Sequence, residues 1–276
     1  MNYLIIDLSY YNFYRFYATK GWYTRAHPED NFEKEYDWSK NVIFWDKFKK
    51  MFKEHLKKYI KKLKIDKVIF AKDCKRKDIW RMKFYDYYKG ARAENYQKNK
   101  FTGGNVFKRC YDEILPELID NKTCFKIYID HLEADDVISL SIKYINQKHP
   151  GSNINVISSD HDLLQLIDDN ITLIDAKMKS YNNKSYGSNY NDVYVKSILG
   201  DVSDSIPKIF NKVGPKTALK LVENPDLLLE RFKKEKGSFN KFILNNLLIN
   251  FKFIPEKYKI EFDSIINKFD FNLKIK

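Results

Sequence analysis

Four short apolar runs constrain this chain more than any other feature. They cover residues 3–6, 67–71, 125–129 and 155–157. None alternates with polar residues, so each reads as a strand buried on both faces of a parallel sheet. Helical stretches separate them. The clearest is Val42–Leu63, where Phe44, Phe48, Phe52, Leu56, Tyr59 and Leu63 recur at helical spacing and lysine fills the other face. A second runs over 132–147 and stops at His149-Pro150-Gly151. This alternation predicts an α/β domain with a central, mostly parallel sheet flanked by helices. After residue 186 the pattern is only helical, over 191–198, 215–222, 225–233 and 239–251. The polar stretch 181–190 therefore predicts a boundary between a domain 1–186 and a helical domain 187–276.

Each apolar run ends in carboxylates. Asp7 follows the first, Asp73 the second, Glu133, Asp135 and Asp136 the third, Asp160 and Asp162 the fourth. Parallel strands end at one edge of a sheet, where ligands bind. Acids distant in sequence are therefore expected together, and their mutual repulsion calls for a cation. Carboxylates without His or Cys select hard cations, Mg²⁺ or Mn²⁺. His131 and His161 lie beside the acids, but no pair has zinc-ligand spacing. Helix capping is the competing explanation for Glu133, Asp135, Asp136, Asp160 and Asp162, all of which open helices. Asp7 and Asp73 are not expected to be caps.

The net charge of +13 is concentrated between Val42 and Lys100, which carry 20 Lys or Arg against 7 Asp or Glu. Such a block fits a polyanion partner, although a lysine-rich solvated helix would look similar. From Lys75 to Arg109 basic residues, among them Arg76, Arg81, Lys83, Lys89 and Arg92, are interleaved with Trp and Tyr. This mix can follow a phosphate backbone and stack on bases, and Gly90, Gly103 and Gly104 predict bends in it. Downstream, Asp201 and Asp204 precede Val213-Gly214-Pro215-Lys216-Thr217, a helix start able to bind an anion. Cys74, Cys110 and Cys124 match no zinc or redox spacing and read as free thiols. No apolar run approaches the roughly 20 residues of a membrane span. With no basic leader or cleavage site, the expected location is the cytoplasm, or the host-cell cytoplasm for a viral chain.

The order IID, FAKD, YKGAR, EADD, SSDHDLLQL, GDVSDSIP, VGPKTA resembles the structure-specific 5′ nucleases over residues 3 to 222. These include flap endonucleases, the 5′-nuclease domain of bacterial DNA polymerase I, and phage 5′→3′ exonucleases, some called ribonuclease H. The phage enzymes are the most similar in length and in the YKGAR segment. The resemblance implies a PIN-like nuclease domain (1–186, with a basic arch at 74–110) and a helix–turn–helix-type duplex clamp in 187–276. It implies two Mg²⁺, with Mn²⁺ as substitute. Asp73, Glu133, Asp135, Asp136 and Asp160 would serve the first, Asp162, Asp201 and Asp204 the second, and Asp7 would complete the cluster. Lys89 and Arg92 would act on the scissile phosphate with Asp135 and Asp136 central to catalysis, and Tyr88 would stack on a base. Arg76, Arg81, Lys83, Gly214, Lys216 and Thr217 complete the expected nucleic-acid contacts.

Two positions depart from the family pattern. Ser205 stands where Asn is usual. Lys212 replaces the first glycine of the clamp loop, which puts the family's monovalent-cation site there in question. The expected function is a monomeric, metal-dependent 5′ nuclease acting on 5′-ended or branched duplex DNA, or on an RNA–DNA hybrid, in replication or repair. Exonuclease, flap-cleaving and primer-removing activities stay open. A non-catalytic branched-DNA-binding protein is the alternative, and a PIN-type ribonuclease is disfavoured by the appended 187–276. Residues 248–276 match no motif and read as a terminal helix or a docking segment.

Overall fold

The computed structural model describes residues 1–33, 35–92, 94, 101–271 and 275. Residues 93 and 95–100 of the expected arch, and 272–274 and 276 of the expected helical domain, lie outside the described residues. β1 (Asn2–Asp7) runs directly into α1 (Leu8–Ala26), and α2 (Val42–Leu63) leads to β2 (Lys67–Ala71). α3 (Gly104–Arg109) continues through a π-helical stretch, Cys110–Ile114, and a turn, Leu115–Leu118, towards β3 (Cys124–Ile127). α4 (Ala134–Lys148) joins β3 to β4 (Asn153–Ile157), and β5 (Ile171–Ile174) follows. Among the described residues five α-helices follow: α5 (Asn189–Leu199), α6 (Pro215–Glu223), α7 (Pro225–Lys234), α8 (Ser238–Ile249) and α9 (Glu256–Ile266).

All five strands are parallel, in the order β3-β2-β1-β4-β5. β1 is central, with Ile5 opposite Ile69 on β2 and Val156 on β4. The chain winds outward from β1 in both directions, so the switch point lies between β1 and β4, where such sheets bind ligands. Successive side chains point to opposite faces. Tyr3, Ile5, Ile69, Phe125, Ile154 and Val156 pack with α4 on one face, and Leu4, Ile6, Val68, Phe70 and Ile157 pack with α1 and α2 on the other. β5 was not among the expected strands; it is a four-residue edge strand with little sequence to announce it. α1 was also unanticipated. Its buried face mixes Asn12, Arg15 and Thr19 with Leu8, Tyr11, Phe16 and Tyr23, which blurs the apolar period.

The expected helical domain 187–276 divides in two. Val195, Ile198, Phe210, Val213, Leu221 and Phe242 form a separate small core among α5, α6 and α8. From Phe251 onward the chain returns to the sheet. Tyr258, Phe262 and Ile266, spaced at four residues along α9, join Val137, Ile138 and Phe125 in the core on the α4 face. Lys67, buried in β2, donates to the Asp270 carbonyl at 2.9 Å and fastens this return. Residues 251–271 are therefore part of the sheet domain.

One buried ionic cluster corrects two expectations. Arg81 is 2% exposed, so it is unavailable to a phosphate. Its guanidinium donates to both oxygens of Asp136, at 2.7 and 2.8 Å, and to Glu133 at 2.8 Å. Its Nε donates to the Leu248 carbonyl at 2.7 Å, tying the end of α8 to the start of α4. Asp136 also accepts from the Trp80 indole at 3.0 Å and from the Glu133 N–H at 3.1 Å, the second bond being half of a capping box. With these donors around it and no exposure, Asp136 is held as a structural anchor and does not line the cavity.

Two stability outcomes follow. Arg81→Met leaves the buried Asp136 carboxylate without its cation and should cost about 3–5 kcal/mol in urea unfolding; a loss under about 1 kcal/mol contradicts the anchor. Phe262→Ala should cost about 3–5 kcal/mol in the same measurement, because α9 is core. A neutral Phe262→Ala would mean that α9 is dispensable to the sheet domain.

Candidate active site and metal centre

A cavity of about 910 Å³ opens at the carboxyl edge of the sheet, where β1 and β4 part. Asp7, Asp73, Asp135, Asp160 and Asp201 line it, with Lys89, Arg92 and Lys196. Local structure explains how each acid arrives. Asp7 ends β1 and caps α1, accepting from the Tyr10 N–H at 3.0 Å and from the Ser158 hydroxyl at 2.9 Å. Asp73 follows β2, accepts from the Ala134 N–H at the start of α4 at 2.8 Å, and takes the Ser9 hydroxyl on its other oxygen. Both acids therefore hold helix starts, contrary to expectation. Asp160 caps the short turn His161–Leu166 through the Asp162 N–H at 2.8 Å. Capping and cavity lining are served by the same side chains.

The site has two electrostatic halves. Asp7, Asp73, Asp135 and Asp160 face the cavity together, and none of them forms a salt bridge among the described residues. Burial pushes the Asp7 carboxyl up to about 7, with Asp73 adding to the effect. Burial also raises Asp135 well above the carboxylate range, followed by repulsion from Asp160 and Asp7. The Asp135 carboxylate makes no hydrogen bond or salt bridge among the described residues.

The other half is neutralised by basic side chains. Lys89 pairs with Glu133 and lies 3.7 Å from Asp204; Arg92 pairs with Asp204 at 2.6 Å. Lys196 pairs with Asp162 and, at 2.9 Å, with Asp201. Burial opposes ionisation of Glu133, yet Lys89 and Arg81 hold it down to about 2. Asp201 is likewise lowered to about 2, as Lys196 and the Ser203 N–H outweigh burial. Burial prevails at Asp162, which rises to about 7 against the pull of Lys196, and at Asp204, which is also raised.

Loop geometry sets this second half. Gly200 ends α5 at φ 68°, and a Cβ there would collide with the Ile206 carbonyl. Only glycine lets the chain turn so tightly that Asp201 and Ile206 exchange backbone hydrogen bonds of 2.9 and 2.8 Å. Ser205, at φ 62°, holds the position where Asn is usual; its hydroxyl accepts from the Ala91 N–H at 3.0 Å. The Lys89 N–H donates to the Asp204 carbonyl at 2.8 Å, and the Arg76 guanidinium to the Lys89 carbonyl. The stem of the basic segment is thus clamped to the loop carrying Asp201 and Asp204.

Several expected residues lie elsewhere. Tyr88 is 4% exposed and directs its hydroxyl at Glu133, 3.1 Å away, and Asp204, so its ring is buried here and presents no face for stacking. Among the described residues of this segment the exposed rings are Phe84 and Tyr87. Lys83 is exposed but does not line the cavity, and Glu133 sits behind Lys89. Lys216 and Thr217 are exposed in the first turn of α6, after Gly214. Lys212 adopts φ 55°, a conformation natural to the glycine it replaces. Sequence reasoning missed Ser9, Ser158 and Lys196. Lys196 was discoverable as the basic residue in the last turn of the helix that precedes Asp201.

The donor set fits a hard divalent cation, being all oxygen with an unpaired carboxylate, Asp135, among mutually repelling neighbours. As the side chains stand, no three His, Cys, Asp or Glu among the described residues converge closely enough to hold an ion. On the second half the carboxylates are drawn instead to Lys89, Arg92 and Lys196.

Comparison with known proteins agrees with this architecture. The fold matches the T5 D15 protein co-crystallised with metal ions, with a TM-score of 0.70, 16% identity, and 97% of this chain and 99% of that one covered. It also matches the bacteriophage T5 D15 flap endonuclease in a pseudo-enzyme-product complex with DNA and metal ions, at a TM-score of 0.64, 17% identity and coverage of 97% and 98%. In sequence, the chain is 30% identical over 156 residues to DNA polymerase I of Streptococcus pneumoniae, covering 53% of this chain and 16% of the polymerase. It is 32% identical over 115 residues to the 5′-3′ exonuclease of Buchnera aphidicola, covering 40% of this chain and 37% of that protein. Residues 2–191 match the family described as 5′-3′ exonuclease, N-terminal resolvase-like domain. The chain therefore belongs to the 5′-3′ exonuclease family.

Proposed function

We propose that this protein is a divalent-cation-dependent 5′ nuclease that hydrolyses phosphodiester bonds in 5′-ended or branched duplex DNA. The observation that carries this reading is the unneutralised set Asp7, Asp73, Asp135 and Asp160 in one cavity with Lys89 and Arg92. Asp7, Asp73, Asp135 and Asp160 would hold one Mg²⁺, and Asp162, Asp201 and Asp204 a second, with Mn²⁺ as substitute. When bound, such cations neutralise the phosphate and make water reactive at neutral pH. The protein's own groups do the rest. Lys89 and Arg92, held at the cavity wall, meet the non-bridging oxygens of the scissile phosphate and stabilise their growing charge. Ser9 and Ser158 fix the Asp73 and Asp7 carboxylates in place. In-line hydrolysis breaks the P–O3′ bond and leaves a 5′-phosphate and a 3′-hydroxyl.

A duplex beside the cavity would lay its backbone against Lys216, Thr217 and the N–H groups at the start of α6. Phe84 and Tyr87 offer exposed rings for stacking. The protein would act as a monomer in the cytoplasm of a cell or of a virus's host; among the described residues no helix is long and apolar enough to cross a membrane.

A cleavage assay with 5′-flap, nicked-duplex and RNA–DNA hybrid substrates tests this reading. Cleavage should require Mg²⁺ or Mn²⁺ and release 5′-phosphate ends. Asp135→Ala should lower kcat by roughly a thousandfold or more while retaining the fold by circular dichroism. Full activity of that variant in Mg²⁺, or cleavage in excess chelator, would rule the assignment out.

A further inference from the structure

Lys196 stands apart from the other basic residues at the cavity. Lys89 and Arg92 belong to the basic segment, whereas Lys196 projects from the last turn of α5. Its ammonium joins two carboxylates from different elements: Asp162, on the turn after β4, and Asp201, on the loop after α5. The Lys196 side chain is 17% exposed and those of Asp162 and Asp201 are 12% and 18% exposed, so the three sit together largely out of water. Asp160 also feels the Lys196 and Arg92 charges, and Asp135 that of Lys89, but none of Asp7, Asp135 and Asp160 forms a salt bridge among the described residues.

We infer that Lys196 is a built-in counter-cation that competes with a divalent ion for the Asp162–Asp201 pair. The inference rests on the metal-centre reading above. Two carboxylates at close range need positive charge, and a tethered ammonium supplies it without loss of a free ion's translational entropy. A divalent ion entering this pair must displace Lys196 from a partly desolvated ion pair. One entering the Asp7–Asp135–Asp160 group breaks no salt bridge among the described residues. The two halves therefore fill at different concentrations, the Asp162–Asp201 half later. Lys196 sets that interval, and through it the cation concentration at which the second half becomes occupied.

The test is Mn²⁺ binding to the full chain without DNA, by isothermal titration calorimetry and by thermal unfolding. The wild type should show one tighter and one weaker ion. Lys196→Met and Lys196→Gln should tighten the weaker one about tenfold, because the competing charge is gone. Each should also melt below wild type without Mn²⁺ and regain more stability on adding it. Lys196→Arg should keep the weak site weak. Lys184 lines the same cavity but forms no salt bridge among the described residues. Lys184→Met should change either affinity by less than about threefold, the effect of a screened distant charge. Asp135→Ala should lose the tighter ion and keep the weaker. Lys196→Met and Lys196→Gln binding no tighter than Lys184→Met overturns the inference and leaves the metal centre standing. No Mn²⁺ binding by wild type overturns both.

Discussion

Repulsion among buried carboxylates is the constraint on which the rest of this structure depends. A parallel sheet collects strand ends at one edge, and here β1, β2 and β4 lead directly into acids. The protein meets the resulting charge in three ways. Helix starts absorb part of it, since Asp7, Asp73, Glu133, Asp136 and Asp160 all accept backbone N–H groups. Basic side chains absorb more, through Arg81, Lys89, Arg92 and Lys196. What is left sits on Asp7, Asp135 and Asp160, where burial and mutual repulsion raise the carboxyls of Asp7 and Asp135.

That division gives the acids different work although they look alike in sequence. Asp135 and Asp136 are neighbours on α4, yet one lines the cavity without a partner and the other is enclosed by Arg81 and Trp80. The helical twist of about 100° per residue separates them. The Arg81 cluster holds α4 and α8 together, so the positions of Glu133 and Asp135 depend on contacts well outside the cavity. The clamp between Lys89 and Asp204 does the same for the basic segment, fixing its stem to the loop after α5.

Much of this was legible in the sequence, and for a physical reason. Buried parallel strands leave uninterrupted apolar runs, and residues just beyond a run must lie at the edge of the sheet. Strand ends alone therefore brought Asp7, Asp73, Asp135 and Asp160 to one place. Partner choice was not legible. Arg81 reads as one more basic residue in a basic segment, because nothing local reveals that it is buried. Tyr88 reads as a stacking ring for the same reason. The return of α9 to the sheet was hidden because its partners, Val137 and Phe125, lie more than a hundred residues earlier. Lys196 lies outside the basic segment and its two partners come from separate loops, so no local signal in the sequence joins them.

The central claim is that the residual charge of Asp7, Asp73, Asp135 and Asp160 is a seat for a divalent cation. Anomalous diffraction from crystals soaked in Mn²⁺ tests it most directly. The account predicts a strong peak coordinated by Asp135 with at least one of Asp7, Asp73 and Asp160, at oxygen distances near 2.0–2.2 Å, typical of small hard divalent ions. Well-diffracting soaked crystals with no peak at these carboxylates, or with Mn²⁺ bound only elsewhere on the surface, would contradict it.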